Sequence, residues 1–578
     1  MLKICLATRS SIRKARGTHW LFLGKSDALR SFCERVLGAE NRVDVTDSFR
    51  RVSLALRQPF LDFVASVGQQ QGDRMGWISS SFAWKDPDAS DLFLLICYLK
   101  LVKSLTGEAM TVLIEDRWLH ATLTGYSPWR SKLALLARGF FSRAHWLFRI
   151  VREYVSFLPY KRRFETKEHH DVLLYSLPHP RCFDSEVGWN DPFLGELDSI
   201  LAAGGHSVGR LIPADPLGYA SELAPRAKYV HPLILELSVA RLLSSLTALW
   251  RPNLSHVPKV SELDVSLLAL REWWMDLGRS VWCQHRLFYE CALRLMQKRR
   301  PASVIFPFEN QPWEKMLVSA AREAGVRSIG YQHSTAPQFF LPYFLGKGEA
   351  ESVPLPDVVL TTGRQQARLL IDGGTPADRT AVAGSLRYQH IHRPLERGAR
   401  AGTSKKVLVV TTHDPSLTSS LLEALANAFP DRGEASGLSL FYRPHPTLPI
   451  SQTALASWMT PVTGDLTSQL PHFDVVVNGG TTVGVEALFL GIPVVQYQAD
   501  VLVDVDPMNA LPDGSFLTAS RSQLRERIEE AACRERGEVS PGVRMLMDEL
   551  FPAVDEGVWL SVVAGFERPN EIRRAEGL

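Results

Sequence analysis

The sequence lacks most of the features that announce a function outright. Its seven cysteines (Cys5, Cys33, Cys97, Cys182, Cys283, Cys291 and Cys533) are scattered, with no C-x-x-C pair. An odd number without metal-ligand spacing excludes a zinc module, argues against a disulfide framework and suits a reducing compartment. No stretch reaches 18 consecutive apolar residues; the longest approach, 92–102, is broken by Lys100, so no spanning helix is expected. The apolar stretch within residues 1–7 is too short for a secretory signal. Together these absences predict a cytoplasmic protein. There is no internal repeat, low-complexity tract, P-loop or H-E-x-x-H, and no G-x-G-x-x-G follows the first strand of the C-terminal third. The last absence weighs against a dinucleotide, and no cofactor or metal is expected. The formal net charge of +3 is too small to argue for nucleic acid.

What remains is the composition of a globular protein, 45% hydrophobic and 22% charged over 578 residues, too long for one core. The C-terminal third is the most legible part. Strand-like runs at 406–411, 438–442, 473–477 and 493–497 alternate with helical patterns at 416–428, 453–459, 485–490 and 521–534, the signature of a parallel sheet with helices on both faces. A similar alternation in the middle places strands at 111–115, 171–176, 303–306, 327–331, 357–361 and 380–383, with helical stretches at 232–249 and 265–297. The expectation is α/β: two Rossmann-like doubly wound domains facing a cleft, with helical insertions in the N-terminal half. Residues 1–392 form the first domain, 393–404 a Pro/Gly-punctuated linker and 405–578 the second. Ligands of open parallel sheets bind at the carboxyl ends of the strands.

Candidate site residues follow from that rule. Asn478-Gly479-Gly480-Thr481-Thr482 joins a buried strand to a helix start, where small residues let backbone N–H groups approach an anion. Thr481 and Thr482 offer hydroxyls, or a helix cap, and Glu486 an acceptor for ribose hydroxyls. Arg443-Pro444-His445-Pro446 ends the preceding strand, with Arg443 and a rigidly presented His445 as phosphate partners. His413 follows the first strand of this domain, and Gly384-Ser385 follow a strand near the crossover. In Phe306-Pro307-Phe308-Glu309-Asn310-Gln311-Pro312-Trp313-Glu314, Glu309 is the candidate general base, while Glu314 complements the dipole of the following helix. His333, ending the next strand, reaches the same cleft. Asp504-Val505-Asp506 reads as a solvated loop. Residues 130–163 hold nine Lys/Arg and one Glu among many aromatics, which suits either an anionic membrane surface or an insertion packed on its own domain.

These motifs together resemble bacterial surface-carbohydrate (O-antigen or capsule) biosynthesis glycosyltransferases of the GT-B type. The Glu309–Glu314 and Tyr331-Gln332-His333-Ser334 motifs carry that likeness. The pairing of Arg443–Pro446 with Asn478–Glu486 is similar to motifs of sialyltransferases, Kdo transferases and glycerophosphate polymerases. The resemblance implies a glycosyltransferase acting on a nucleotide-sugar donor, CMP-linked, and a surface polysaccharide or lipid-linked glycan acceptor. It assigns Glu309 to catalysis and His445, Thr481 and Thr482 to the donor phosphate, while the reading of the residues adds His333 to catalysis and Arg443, Gly479, Gly480, Glu486, Gly384, Ser385 and His413 to the donor. The expected place of action is the cytoplasm, on the inner face of the membrane. A nucleotide-sugar epimerase of the UDP-GlcNAc 2-epimerase kind and a non-catalytic glycan-assembly scaffold are the alternatives. The hydroxyl pair Thr481-Thr482 stands where the cytidine-nucleotide families carry a serine run.

Overall fold

The computed structural model describes residues 2–105, 109–126, 128–165, 168–183, 189–214, 218–254, 256–392, 404–445, 457–464, 466–503, 505–511, 514–534 and 541–565. All sixteen strands described pair in parallel, in three sheets. A small sheet of β1 (Lys3–Leu6), β2 (His19–Leu23) and β3 (Met110–Ile114) has the order β1-β3-β2. The middle sheet contains β4 (Val172–Tyr175), β5 (Val208–Ile212), β6 (Val230–Pro232), β7 (Ser303–Pro307), β8 (Arg327–Gln332), β9 (Val358–Thr361) and β10 (Thr380–Val382), ordered β10-β9-β8-β7-β4-β5-β6. The third contains β11 (Lys405–Thr411), β12 (Leu438–Arg443), β13 (Thr460–Pro461), β14 (Val475–Gly479), β15 (Val494–Tyr497) and β16 (Leu517–Ala519), ordered β13-β12-β11-β14-β15-β16. The two larger sheets are the doubly wound pair expected.

Continuous apolar runs make these strands because both faces are covered. In β11, Val407 and Val409 point into one cluster and Leu408 and Val410 into another. In β14, Val475 and Val477 are likewise opposed to Val476, the period of two that a pleated strand imposes. The middle sheet is also packed on both sides. One face shares a core with the small sheet, where Leu21 and Ile114 join Leu173 and Phe306. The other face is covered by the helix Glu556–Val563, whose Val558, Trp559 and Val562 pack with Leu174, Ile329 and Tyr331. The chain thus returns to the middle domain after completing the C-terminal sheet.

Several expectations change. The strand expected at 111–115 belongs to the small sheet rather than the middle one. The stretch 232–249 is not one helix: Ser238 caps a new helix at Val239–Leu246, donating nothing and accepting from the Arg241 N–H. The stretch 265–297 breaks at Gly278 into Ser266–Leu277 and Val281–Arg299. The apolar segment near 92–102 is a core helix, Leu92–Ser104, with ten buried residues. Asp506 is not solvated; it is 1% exposed and accepts both of its Asn478 Nδ2 contacts at 2.9 and 2.8 Å. The linker expected at 393–404 lies outside the described residues save Ser404, as do Asp504, Pro446 and most of the helix expected at 453–459.

The small sheet's unit is fastened to the C-terminal domain. Arg30 and Ser31 donate to Glu423 at 3.1 and 3.0 Å, Arg42 pairs with Asp500, and the Tyr98 hydroxyl donates to Val501 O at 2.7 Å. The small sheet's unit therefore packs against both larger domains.

Candidate functional site

In both large sheets the strand order reverses beside a central pair, between β4 and β7 and between β11 and β14. Those reversals open the crevice in which parallel sheets hold ligands. The candidate residues cluster there.

After β7 the Phe308 N–H donates to Tyr331 O at 2.7 Å, prolonging the ladder with β8 by one residue. The chain then turns through Asn310, whose φ of 57° is in the left-handed region. Such a conformation costs about 1 kcal/mol or more and must be held by its surroundings. Glu314 holds it. Its buried carboxylate accepts the Glu309 N–H at 3.0 Å on each oxygen and the Asn310 N–H at 2.7 Å. Burial, and then the neighbouring Glu309, raise Glu314 well above the usual carboxylate range. The Asn310 side chain donates to Pro342 O at 2.7 Å. Trp313 stacks on Tyr175 at 4.3 Å and donates to Gln311 Oε1 at 3.1 Å, and Gln311 Nε2 donates to Glu309 at 2.6 Å. Asn310, Gln311, Trp313 and Glu314 thus either form this turn or aim Glu309, and Pro312 opens the following helix.

Glu309 itself faces the cleft, with 31% of its side chain exposed. Its pKa is raised to about 7, by burial first and then by Asp86, against the opposing pull of His413 and Arg387. His333, after β8, brings Nε2 to 3.8 Å from Glu309 Oε1 and rests edge-on against Phe193 at 4.9 Å. Burial, with Arg387 adding to it, lowers His333 to about 3, so its imidazole is neutral at physiological pH. Its Nδ1 is buried without a hydrogen-bond partner among the described residues, a group available to a ligand.

Two acids from the small sheet's unit complete this side. Lys85 is pinned by Glu349 at 2.9 Å and Phe344 O at 2.7 Å, fixing the loop that follows. Asp86 is 4% exposed and raised to about 6 by burial and Asp88. Asp88 reaches across to the C-terminal domain, where His413 Nε2 lies 2.6 Å from its Oδ2. The bond to Asp88 raises His413; Asp88 is lowered because that bond and His413's charge outweigh burial.

On the C-terminal side, His413 follows β11, His445 follows β12 and Gly479–Thr482 end β14 and lead on from it. Because β11 lies between β12 and β14, all three turns share one sheet edge. The His413 and His445 rings are 5.6 Å apart, and burial, with His413 and Arg387, lowers His445 to about 4. Gly480 has φ 102°, a conformation that only glycine adopts freely, and its nearest neighbour at the Cβ position is Thr412 at 3.6 Å. Neither threonine caps the helix Val483–Phe489 as its N-cap side chain. Instead Thr481 donates its hydroxyl to Asn478 Oδ1 at 3.0 Å and accepts the Val483 N–H at 3.2 Å, so Asn478 and Asp506 lock the turn. Glu486 is half-buried in the first turn of that helix.

Other candidates are engaged elsewhere. Arg443 donates to Val462 O at 3.0 Å and Gly464 O at 2.9 Å, fastening β12 to the turn beyond β13. Gly384 has φ 79° and lies against Ala553 O, where a Cβ would come within 2.1 Å; the Ser385 N–H donates to Pro552 O at 3.0 Å and its side chain is fully buried. These two residues anchor the returning segment, while Arg387, three residues beyond Gly384, extends its charge toward Glu309, His333 and His445. Asp86, Asp88 and Arg387 were missed by sequence reasoning. Asp86-Pro87-Asp88 carries a turn signal, but nothing in the sequence ties it to a strand 220 residues away. Among the described residues, no group of three or more His, Cys, Asp or Glu is placed to hold a metal ion, and no helix is long and apolar enough to cross a membrane.

No family model and no curated protein matches the chain in sequence. Solved structures similar in shape include a putative UDP-N-acetylglucosamine 2-epimerase from Listeria monocytogenes, at 10% identity over 71% of this chain and 98% of its own, TM-score 0.39. The glycotransferase of kitacinnamycin matches at 15% identity over 71% and 99%, TM-score 0.39. The UDP-GlcNAc 2-epimerase of Methanocaldococcus jannaschii matches at 9% over 65% and 98%, TM-score 0.38. At these identities and scores the activity has to be argued from the site itself.

Proposed function

We propose that this chain is a glycosyltransferase that moves a sugar from a nucleotide-sugar donor, CMP-linked, to a surface polysaccharide or lipid-linked glycan. The observation that carries this reading is the opposition across one cleft of a carboxyl group tuned to about 7, Glu309, and a basic wall of His413, His445 and Arg387. Glu309 takes the acceptor hydroxyl proton as the acceptor oxygen bonds to the anomeric carbon. The bond from that carbon to the phosphate oxygen breaks, and its electron pair leaves with the nucleotide. Arg387 and the His413 imidazolium stabilise the departing phosphate, and neutral His445 contributes a donated N–H. His333 fixes Glu309 and orients the acceptor. The Gly479–Thr482 turn and Glu486 serve the donor's phosphate and ribose. Residues 1–392, joined by the returning helix Glu556–Val563, form the acceptor side, the rest of 405–578 the donor side and 393–404 the linker. The enzyme acts in the cytoplasm, with residues 130–163 against the inner face of the membrane.

Thermal protection by CMP, beside UDP, GDP and CDP, tests donor binding, since a ligand that binds only the native state raises its melting temperature. CMP should protect the wild type and not His445→Ala. Lack of protection by every nucleotide, or full glycosyl transfer by Glu309→Gln, refutes the reading.

A nucleotide-sugar epimerase is the second reading, favoured by one observation. Asp86 and Glu309, held at about 6 and about 7, are a pair of carboxyl groups able to exchange protons near neutrality. Incubation with nucleotide sugars in deuterated water without acceptor decides the matter: deuterium on the sugar ring supports the epimerase.

A further inference from the structure

The helix Trp129–Phe157 is docked by one edge and bare over the rest. Trp146, Ile150 and Phe157 are buried, and Gly139 approaches Leu277 O so closely that a Cβ would lie 2.1 Å from it. That contact fixes the helix against the end of Ser266–Leu277. At about 100° per residue, Leu133, Leu136, Phe140, Phe148, Val151 and Val155 fall on one outward arc, and all six are exposed, Phe140 by 73% and Phe148 by 63%. On the same wheel Arg152 and Arg143 border this arc on its two sides, with Arg138 and Arg149 beyond Arg152 and Lys132 beyond Arg143. A soluble surface does not concentrate large apolar side chains in this way without a partner.

The arc does not end with its own helix. Val239, Leu243 and Leu246 share one face of the helix Val239–Leu246 at spacings of four and three residues. Val239 is 76% exposed and Leu243 58%. Leu246 lines a groove of about 450 Å³ together with Leu136, Phe140, Leu147 and Leu277, so the two helices bound one apolar channel. Arg143 also lines it. The Nε and Nη2 atoms of Arg143 are buried with no hydrogen-bond partner among the described residues. Arg143 is itself half-buried, and an anionic group entering the channel would give these two donors an acceptor.

We infer that this two-helix surface docks on an anionic phospholipid bilayer, with an acyl chain entering the groove and the lipid phosphate meeting Arg143. The inference rests on the membrane contact proposed above and deepens it, adding Val239–Leu246, the groove and a headgroup ligand. Charge selects the occupant. Residues 130–163 carry nine Lys/Arg against one Glu. A second copy would bring the same cations face to face in an isologous interface, whereas anionic headgroups are attracted to them. The helix lies in the plane of the surface, apolar arc down and cations at the headgroup level.

Flotation of the full chain with vesicles tests this. Wild type should float with phosphatidylcholine–phosphatidylglycerol vesicles and far less with phosphatidylcholine alone. The double variant Phe140→Ser, Phe148→Ser should lower partitioning by at least about tenfold, and Leu243→Ser should weaken it too. Arg143→Gln should cost about fivefold, and only on anionic vesicles. The phenylalanines and Leu243 are exposed, so unchanged melting temperatures and unchanged nucleotide protection are the controls. Arg143→Gln floating like wild type overturns the headgroup assignment, and the serine variants floating like wild type overturn the surface. Wild type that floats with neither vesicle overturns the membrane contact altogether, while nucleotide protection in the same preparation leaves the glycosyltransferase reading standing. A solution dimer that Phe140→Ser, Phe148→Ser converts to monomer, without vesicle binding, assigns the face to a second copy and also overturns the proposal.

Discussion

Replacing Glu309 by Gln should stabilise the protein at pH 8 and leave its stability almost unchanged at pH 4. The folded state keeps the Glu309 proton up to about 7, whereas the ordinary value is 4.5. The unfolded chain therefore releases its proton first as pH rises. The folded state loses ground from about 4.5 to about 7, and the full cost stands above about 7. The gap from 4.5 to about 7, at about 1.36 kcal/mol per unit, limits the effect to roughly 3 kcal/mol. Because 31% of the side chain is exposed, solvent screening reduces it to about 1–2 kcal/mol. Gln keeps the acceptor for Gln311 Nε2 and cannot ionise, so it removes the cost without opening a cavity. Melting curves of both proteins at both pH values are the assay. The chain is too large for one two-state transition, so the readout is the change in melting temperature of the variant relative to wild type, not an absolute free energy. An increase of about 2–5 °C at pH 8 is expected. An equal shift at both pH values, or a decrease at pH 8, refutes the account of why this carboxyl group is tuned.

Glu314 separates hydrogen bonding from charge. Glu314→Ala leaves the Glu309 and Asn310 N–H groups buried without an acceptor and should cost about 2–4 kcal/mol in a denaturation measurement, whereas Glu314→Gln retains an acceptor and should cost less than half of that. Asp88→Asn should lower the pKa of His413 in an NMR titration, because the Asp88 bond is its leading cause. In wild type that link is complete below the folded His413 pKa and is lost as pH rises through it, and also as pH falls through the depressed Asp88 value; persistence of the raised His413 titration in Asp88→Asn counts against the bridge. Gly384→Ala should destabilise the fold by about 3 kcal/mol or more, read as a sharply lower melting temperature, because it has both a positive φ and a backbone oxygen 2.1 Å from the new Cβ. Gly480→Ala, with the φ but no such contact, should cost only about 1–2 kcal/mol, and equal losses at the two positions would contradict this geometry.

Strands buried on both faces were the most legible part of the sequence. β11, β14 and β15 are runs of valine and other apolar residues, and β7 and β8 were found within a residue of their ends. β5 escaped because Gly209 and Arg210 interrupt its apolar pattern, yet Arg210 is buried, paired with Asp191 at 3.0 Å and Asp198 at 2.6 Å. β6 escaped because three residues are too few to show a period. The approach of Glu309 to His333 was legible because adjacent parallel strands bring their following turns together. Asp86 and Arg387 were not, since what brings them to Glu309 is the docking of separate units, which no local pattern encodes. Arg443 shows the converse: a residue of the right type at a strand end, whose guanidinium donates to two backbone carbonyls of a neighbouring turn.

The returning helix Glu556–Val563 has a consequence for the order of assembly. Trp559 packs on Tyr331 at 5.2 Å, in a cluster that also contains Leu174 and Leu360. During synthesis the middle sheet emerges from the ribosome with that face covered only in part, by Leu194, Leu197 and Leu201, and stays so until the entire six-stranded sheet has been made. The covering helix is encoded about 170 residues after the last strand it protects. The nascent middle domain therefore passes through an aggregation-prone interval whose length is set by the translation time of another domain. A nonsense mutation after the C-terminal sheet ends at Ala519 and before residue 556 would spare every candidate catalytic residue and still leave the domain that carries Glu309 unable to complete its own core.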